Sequence, residues 1–237
     1  MSDYIVFAGA DSRTYGIEVF ENDTYSAGSA VVSAVSVPGR SGDVLIPENR
    51  YANIVRSYDC VLHEDAVDNY TAFRAFLLSQ MGYKTLIDSK YPDHFFEGYV
   101  SSSLQPKLTP EAGMIKFKLS FNCKPQRFLT SGLEVTTLTE DDIIENPTLY
   151  PSAPLMKVTG TGTLGINSEN VVIANTYPQL GYMYIDFDSG RCYCNGQSMD
   201  EQVTFPGYDL PKLLPGENTI TLTGITAVEI VPRWWTL

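Results

Sequence analysis

The segment Met114-Ile115-Lys116-Phe117-Lys118-Leu119-Ser120-Phe121-Asn122-Cys123 decides the fold of the first half of the chain. Its apolar residues alternate with polar ones and occupy every odd position from Ile115 to Cys123. Successive side chains of a β-strand point to opposite faces of the sheet, so the pattern predicts a strand with one buried face. The other face carries Lys116 and Lys118, which we expect to meet solvent or a neighbouring subunit rather than nucleic acid.

Upstream of this strand, residues 65–82 have the periodicity of a helix. Asp65 is suited to cap its N-terminus and Gly82 to end it. Apolar residues recur at helical spacing in between: Ala66, Tyr70, Phe73, Leu77 and Met81. We predict one helix packed on antiparallel strands. The strand-like segments before it are Tyr4–Phe7, Ile17–Phe20, Ala30–Val37 and Ile54–Leu62.

Beyond about residue 155 the chain contains only short strand-like segments, with turn residues between them. These segments are Leu155–Thr159, Val171–Ala174, Tyr182–Phe187, Arg191–Cys194, Thr219–Thr223 and Ala227–Val231. Short strands at this spacing favour an antiparallel β-sandwich. The predicted fold class is therefore mainly β, with an N-terminal α+β domain followed by a C-terminal β-sandwich.

The boundary between the two domains is predicted from a change in composition. Residues 128–154 contain the acidic run Thr139-Glu140-Asp141-Asp142 and prolines at positions 147, 151 and 154. Residues 1–130 have 12 Lys+Arg and 15 Asp+Glu, a net charge of −3, whereas residues 131–237 have 4 and 13, a net charge of −9. We predict a first domain over residues 1–130, a linker over 131–145 and a second domain over 146–237.

Composition excludes several classes of protein. The 237 residues are 43% hydrophobic and 19% charged, which is typical of a globular chain. A net charge of −12 argues against stable binding to nucleic acid. No apolar run approaches the roughly 18 residues of a membrane span, and residues 1–4 do not resemble a secretory signal. We therefore expect synthesis in the cytoplasm, no membrane insertion, and free thiols at the four cysteines.

One segment matches a nucleotide-binding motif in its residue types but not in its predicted secondary structure. Gly160-Thr161-Gly162-Thr163-Leu164-Gly165 fits GxGxxG and has Asp186 about 20 residues beyond it. A dinucleotide site needs a helix to begin at the last glycine. Here the β-branched run Val171-Val172-Ile173 follows instead, so we interpret the glycines as a turn between strands.

No other segment predicts a catalytic, cofactor or metal site. Asp186-Phe187-Asp188-Ser189-Gly190 begins like a calcium loop but lacks its later ligands, so a hairpin turn is the better interpretation. His63, beside Glu64 and Asp65, has no second histidine at helical spacing, and His94 is the only other one. Cys192 and Cys194 share a strand face and are predicted to be packed thiols. The chain is therefore not predicted to be an enzyme.

The alternation of side chains along a strand predicts which side of the sheet Trp234 and Trp235 face. Val228, Ile230, Pro232 and Trp234 share one parity, and Glu229, Arg233 and Trp235 share the other. We expect the first set to face the core and the second to face outward, with Pro232 as the residue that could break the register. An outward Trp235 would suit an interface or the stacking of a sugar ring.

The order of short motifs along the chain resembles one known family. The motifs are Val37-Pro38-Gly39-Arg40-Ser41-Gly42, Tyr51-Ala52-Asn53, Phe121-Asn122-Cys123-Lys124-Pro125, Asn146-Pro147-Thr148, Ser152-Ala153-Pro154-Leu155, Gly160-Thr161-Gly162, Tyr184-Ile185-Asp186, Leu213-Leu214-Pro215-Gly216-Glu217-Asn218 and Val231-Pro232-Arg233-Trp234. Together they cover nearly the whole chain. In this order they resemble the distal tail protein family of long, non-contractile-tailed bacteriophages.

The resemblance implies a structural role in a phage tail tip or baseplate. It implies an N-terminal domain that closes into a homo-hexameric ring around a channel for DNA, with a galectin-like or carbohydrate-module-like sandwich projecting outward. The implied partners are the tail tube protein, the tail-tip fibre (tail-associated) protein and receptor-binding proteins. The implied location is the tail tip of the virion, after assembly in the host cytoplasm.

A different class of function remains open. A carbohydrate-binding module that recognises host cell-wall glycan would also be a small β-sandwich without catalytic residues. It would need exposed aromatic side chains on one face of a sheet. A fold alone does not distinguish the two, since one fold serves many functions.

Overall fold

The computed structural model describes residues 3–21, 27–63, 65–109 and 113–237. Within them the chain is mainly β with a single α-helix, which confirms the predicted fold class. It divides into two compact units, residues 1–127 and residues 128–236. None of the described helices is long and apolar enough to span a membrane.

The strands are numbered in chain order and the helix is α1. Their bounds are β1 Ile5–Phe7, β2 Ala10–Asp11, β3 Ile17–Glu21, β4 Ala30–Val35, β5 Val44–Tyr51, β6 Ile54–Leu62, α1 Ala66–Ser79, β7 Lys84–Asp88, β8 His94–Val100, β9 Lys107–Thr109, β10 Met114–Cys123, β11 Arg127–Leu129, β12 Thr136–Leu138, β13 Asp142–Asn146, β14 Leu155–Ile166, β15 Glu169–Ile173, β16 Tyr182–Asp186, β17 Arg191–Cys194, β18 Gln197–Ser198, β19 Val203–Thr204, β20 Gly216–Val231 and β21 Trp235–Thr236.

The first unit is built on an antiparallel sheet in the order β2-β1-β7-β8-β10-β6-β3. Strand β10 pairs with β6 along its whole length, from Ile115 opposite Leu62 to Cys123 opposite Ile54. The odd residues of β10 are buried and Lys116 and Lys118 are exposed, which confirms the predicted alternation. Helix α1 packs on β6 and β10, and the ring of Tyr70 lies 5.1 Å from that of Phe117.

The ends of the helix differ from the prediction. Asp65 has a left-handed backbone (φ 44°) and its side chain makes no capping hydrogen bond. The helix ends at Ser79, because Gln80 is already extended, with φ −86° and ψ 108°. Met81 therefore lies beyond the periodic face and is 85% exposed. The predicted buried positions up to Leu77 are correct.

The second unit is organised by two long strands, β14 and β20, that pair with each other from end to end. At one end β16, β17 and β18 extend the sheet beyond β14, and at the other end β15 and β19 do so. Apolar residues from both ends form one continuous core. Its fully buried members include Met156, Val158, Leu164, Ile166, Met183, Ile185, Ile220, Val228 and Ile230.

Two predictions of local structure in this unit are wrong. Thr219–Thr223 and Ala227–Val231 are parts of the single strand β20, and Gly160–Gly165 lies inside β14 instead of forming a turn. The register between β14 and β20 shifts on both sides of Gly160, which marks a bulge. Glycine-rich stretches mark bulges as well as turns, and local sequence does not distinguish the two.

The segment 131–145, predicted to be a linker, contains strands of the second unit. β12 pairs with β20 opposite Val228–Ile230, and β13 pairs with it opposite Gly216–Ile220. Leu138 and Ile144 are buried in the core, at 6% and 9% exposure. The acidic residues made this segment resemble a linker in the sequence. In the structure they occupy exposed positions beside the buried ones.

Candidate interaction surfaces

The glycines of the GxGxxG segment serve the bulged backbone of β14. Gly162 has φ +142°, and a Cβ built there would overlap the carbonyl oxygen of Thr223 on β20. Only glycine allows this conformation and this close approach of two strands. The segment is thus explained by strand pairing and not by a phosphate-binding loop.

The Asp186–Gly190 segment is a hairpin turn between β16 and β17, as predicted. The Asp186 carboxylate accepts hydrogen bonds from the Asp188 backbone N–H at 3.2 Å and the Ser189 hydroxyl at 2.9 Å. The Arg233 guanidinium donates a further one at 2.6 Å. Burial alone would raise the pKa of Asp186, but the Arg233 charge and these hydrogen bonds outweigh it and lower that pKa. The carboxylate therefore stabilises the turn as an anion.

Among the described residues, neither histidine has neighbours that would complete a metal site. His63 Nε2 lies 3.5 Å from Glu18 Oε2, and Glu64 lies outside the described residues. No three His, Cys, Asp or Glu side chains cluster to hold a metal ion in the part of the chain that the structure describes.

The four cysteines are free and buried. Burial raises the pKa of Cys60, Cys123 and Cys192 to about 12. These three thiols therefore stay protonated at neutral pH and are poor nucleophiles. Cys192 and Cys194 pack in the same core, as their shared parity predicted.

The two tryptophans occupy the environments that parity predicted. Trp234 is 6% exposed and belongs to the core of the second unit. Trp235 is half-buried; its ring stacks on Tyr150 with 4.6 Å between centroids, and its Nε1 donates to the Pro151 carbonyl at 2.9 Å. Parity holds although Arg233 has φ +58°. Tyr150 therefore covers one face of the Trp235 ring.

Sequence reasoning missed a group of tyrosines on the face of the second unit's sheet that points away from the core. Tyr184 of β16 lies directly opposite Tyr193 of β17, and their rings are stacked 5.5 Å apart. Tyr182 lies two residues before Tyr184, with 5.8 Å between the ring centroids. We call Tyr182, Tyr184 and Tyr193 the tyrosine face. The spacing Tyr-x-Tyr in a predicted strand was the available signal.

A charged pair borders the tyrosine face. Lys157 Nζ lies 2.7 Å from Glu229 Oε1 and 4.7 Å from the centroid of the Tyr182 ring. The hydrogen bond that the Lys157 ammonium donates to the Glu229 carboxylate raises the pKa of Lys157. The face thus combines aromatic rings with a fixed cation and a fixed anion at its border.

A second surface is the hairpin of residues 30–51, which we call the arm. β4 and β5 form a two-stranded sheet of their own, and neither strand has a buried residue. Val35 pairs with Val44, Ala34 with Leu45 and Val32 with Pro47. Opposed residues share a face, so Val32, Ala34, Leu45 and Pro47 lie on one face of the arm, and the other face carries Val35, Val44 and Ile46. The arm therefore exposes apolar side chains on both faces.

A third surface lies on the first unit's sheet, on the side of β3, β6 and β10 away from the core. Its exposed or half-buried residues include Phe20, Val61, Lys116 and Lys118, which line a shallow groove with His63 and Met114. Phe20 is 52% exposed. We call this the outer face.

Comparison with known proteins shows which solved structures share the fold of this chain. No protein-family model matches the chain, and no curated protein matches its sequence. Solved structures do match: the fold is that of phage tail hub and baseplate proteins.

The crystal structure of the SPP1 Dit protein, described as a paradigm of the hub adsorption apparatus in phages that infect Gram-positive bacteria, matches with a TM-score of 0.71. The match covers 100% of both chains at 14% sequence identity. A structure of the phage P2 baseplate in its activated conformation with Ca matches with a TM-score of 0.54, 9% identity and 97% coverage of each chain. The resemblance to distal tail proteins is thus confirmed at the level of the fold.

Proposed function

We propose that this chain is a structural component of a phage tail tip, a hub that closes into a homo-hexameric ring around a channel for DNA. The ring joins the tail tube protein to the tail-tip fibre protein and to receptor-binding proteins. It acts in the virion, after assembly in the host cytoplasm, and by contact rather than by catalysis.

The observation that carries this proposal is the end-to-end match with the SPP1 Dit fold, because it includes both units and their order. Two further features support it. The arm exposes large apolar side chains such as Leu45 and Ile46, as an assembly contact requires. A net charge of −12 keeps unassembled subunits apart and soluble.

Native mass spectrometry of the chain mixed with its tail tube and tail-tip fibre proteins tests the proposal. Six copies of a 26.3 kDa chain give a ring of about 158 kDa before the partners are added. Negative-stain images are expected to show six-fold rings. A stable dimer that never enters a larger assembly would contradict the proposal.

Binding of cell-wall glycan is a second candidate function, and the tyrosine face is the observation that favours it. Aromatic rings on an exposed sheet face are what such a module requires. Lys157 and Glu229 beside them provide a donor and an acceptor for sugar hydroxyls. This activity is compatible with the hub role, since it uses the second unit alone.

Sedimentation of the protein with cell-wall polysaccharide purified from Gram-positive bacteria tests this candidate. Tyr193→Ala should reduce binding at least tenfold, because Tyr193 is the most exposed of the three rings. Tyr208→Ala is the matched control, since Tyr208 is a fully exposed tyrosine outside the tyrosine face. Equal binding by the wild type and Tyr193→Ala would exclude the candidate.

A further inference from the structure

One row of residues crosses the second unit's sheet on the face that points away from the core. The strand order β12-β20-β14-β16-β17-β18 brings one residue of each strand into this row. Its members are paired directly opposite one another, in the order Thr137, Glu229, Lys157, Tyr184, Tyr193 and Ser198. Their chain neighbours, such as Val228 and Ile185, are buried in the core, so the row faces outward. We call it the polar row.

The polar row has the chemistry and the length of a site for an extended polyol. Four of its side chains end in a hydroxyl, one in a carboxylate and one in an ammonium group. Neighbouring strands are about 4.8 Å apart, so the row extends over about 24 Å. One strand spacing is close to the length of one sugar residue, and an extended glycan of about five residues spans the row. A protein interface usually has an apolar centre, which the polar row lacks.

The polar row ends at a cavity of about 500 Å³, which Ser198 also lines. This volume lies in the range of small-molecule sites. Asn175 and Gln202 line the same cavity, and the Asn175 side-chain amide donates to Gln202 Oε1 at 3.0 Å. That bond leaves a carbonyl acceptor on Asn175 and N–H donors on Gln202, while Glu201 adds a carboxylate. Adjacent hydroxyls of a sugar ring can bond to such a set of donors and acceptors.

The charges along this path favour a neutral ligand over an anionic one. Lys157 is paired with Glu229, and Arg233 donates to Asp186 in the adjacent row, where Asp186 also lies opposite Arg191. Carboxylates therefore compensate the cations instead of leaving them free for phosphate groups. The charged residues of the two rows and of the cavity, with those bonded to them, are three basic and four acidic: Lys157, Arg191, Arg233, Glu229, Asp186, Asp200 and Glu201.

We propose that the polar row and the cavity form one continuous site for an extended, neutral polysaccharide, with a terminal sugar in the cavity. The inference rests on the second candidate function, because it gives that function a ligand class and a path across the sheet. It extends the site beyond the tyrosine face to all six strands of the row. Tyr184 and Tyr193 then lie in the part of the path nearer the cavity.

Oligosaccharides of graded length test the path. Neutral cell-wall polysaccharide from Gram-positive bacteria is partly hydrolysed, separated by size and titrated into the full chain by calorimetry. Affinity should rise at least tenfold from the disaccharide to the pentasaccharide and then level off, since about five residues fill the row. An affinity that is already maximal with the disaccharide would overturn the inference.

Asn175→Ala tests the cavity, with Asn170→Ala as the matched control. Asn175 lines the cavity, whereas Asn170 is an exposed asparagine of β15 outside both the cavity and the polar row. Both side chains are exposed, so both variants should melt at the wild-type temperature. Asn175→Ala should weaken binding of the pentasaccharide at least fivefold, and Asn170→Ala less than twofold. Equal binding by Asn175→Ala and the wild type would contradict the role of the cavity and overturn the inference.

The outcomes separate this inference from the functions proposed above. Binding that is lost in Tyr193→Ala, but depends neither on ligand length nor on Asn175, would overturn the inference and leave the glycan candidate intact. Tighter binding of a phosphate-containing wall polymer, competed by inorganic phosphate, would overturn the neutral ligand class. A wild-type chain that binds no fraction would overturn both the inference and the glycan candidate, but not the hub role.

Discussion

The guanidinium of Arg56 lies 3.0 Å from the carboxylate of Asp88, and both side chains are only 4% exposed. The Tyr58 hydroxyl donates to the same carboxylate oxygen at 3.1 Å, and the Arg56 guanidinium lies 4.6 Å from the centre of the Phe96 ring. This buried ion pair ties β6 to the end of β7, two strands that are not neighbours in the sheet.

Removing the charge of Asp88 is expected to destabilise the protein strongly. Asp88→Asn takes away the carboxylate that compensates the buried Arg56 charge, which typically costs about 3–5 kcal/mol of unfolding free energy. Urea denaturation measures the loss. Glu48→Gln is the control, since Glu48 forms an exposed pair with Arg50 and its loss should cost less than about 1 kcal/mol. An equal loss of unfolding free energy in the two variants would show that burial does not determine how much an ion pair contributes to stability.

The two tryptophans should differ in their contribution to stability. Trp234→Ala empties a core site and is expected to cost roughly 3–5 kcal/mol. Trp235→Ala removes the stacking on Tyr150 and one hydrogen bond, at a cost of about 1–2 kcal/mol. Thermal melting of both variants provides the comparison. Equal destabilisation would contradict the assignment of the two rings by strand parity.

Gly162→Ala tests the bulge in β14. The added Cβ meets the Thr223 carbonyl, and φ +142° is strained for alanine. A loss of about 2–4 kcal/mol is expected from backbone strain and overpacking together. Gly207→Ala is the control, because that glycine has open space around it. A harmless Gly162→Ala would mean that β14 and β20 can separate at the bulge without cost.

The pairing of β12 and β13 determines which fragment folds alone. We propose that residues 128–237 form an independent domain and expect a cooperative thermal melt from that fragment. A fragment of residues 146–237 lacks both strands and the buried Leu138 and Ile144, so it should melt at a lower temperature. Equal melting temperatures for the two fragments would show that β12 and β13 add no stability, as expected if residues 131–145 were a linker.

We expect the chain not to bind duplex DNA, so that the proposed ring would let DNA pass without holding it. Six copies, each with a net charge of −12, carry −72 in total. Stable binding would need Lys and Arg contacts that release counterions from the DNA backbone. Fluorescence anisotropy with a labelled duplex should show no binding at physiological salt. Micromolar, salt-sensitive binding would reveal a basic surface that the net charge conceals.

The sequence by itself determined the local elements and the side that each one buries. Met114–Cys123 and Ala66–Leu77 are correct because their periods of two and 3.6 residues are properties of the chain itself. Trp234 is buried and Trp235 more exposed, as predicted, although β20 ends at Val231 and Trp235 begins the separate strand β21. The order of motifs was sufficient to indicate the distal tail fold, which the structure comparison confirms.

Only the tertiary structure decided which distant segments meet. Arg56 and Asp88 are 32 positions apart, and β12 and β13 reach β20 across most of the second unit. Tyr184 and Tyr193 form one face only because a hairpin places them opposite each other, and the arm is exposed only because no other strand pairs with it among the described residues. Local sequence sets the period of a strand, whereas its partners depend on the free energy of the whole packed chain.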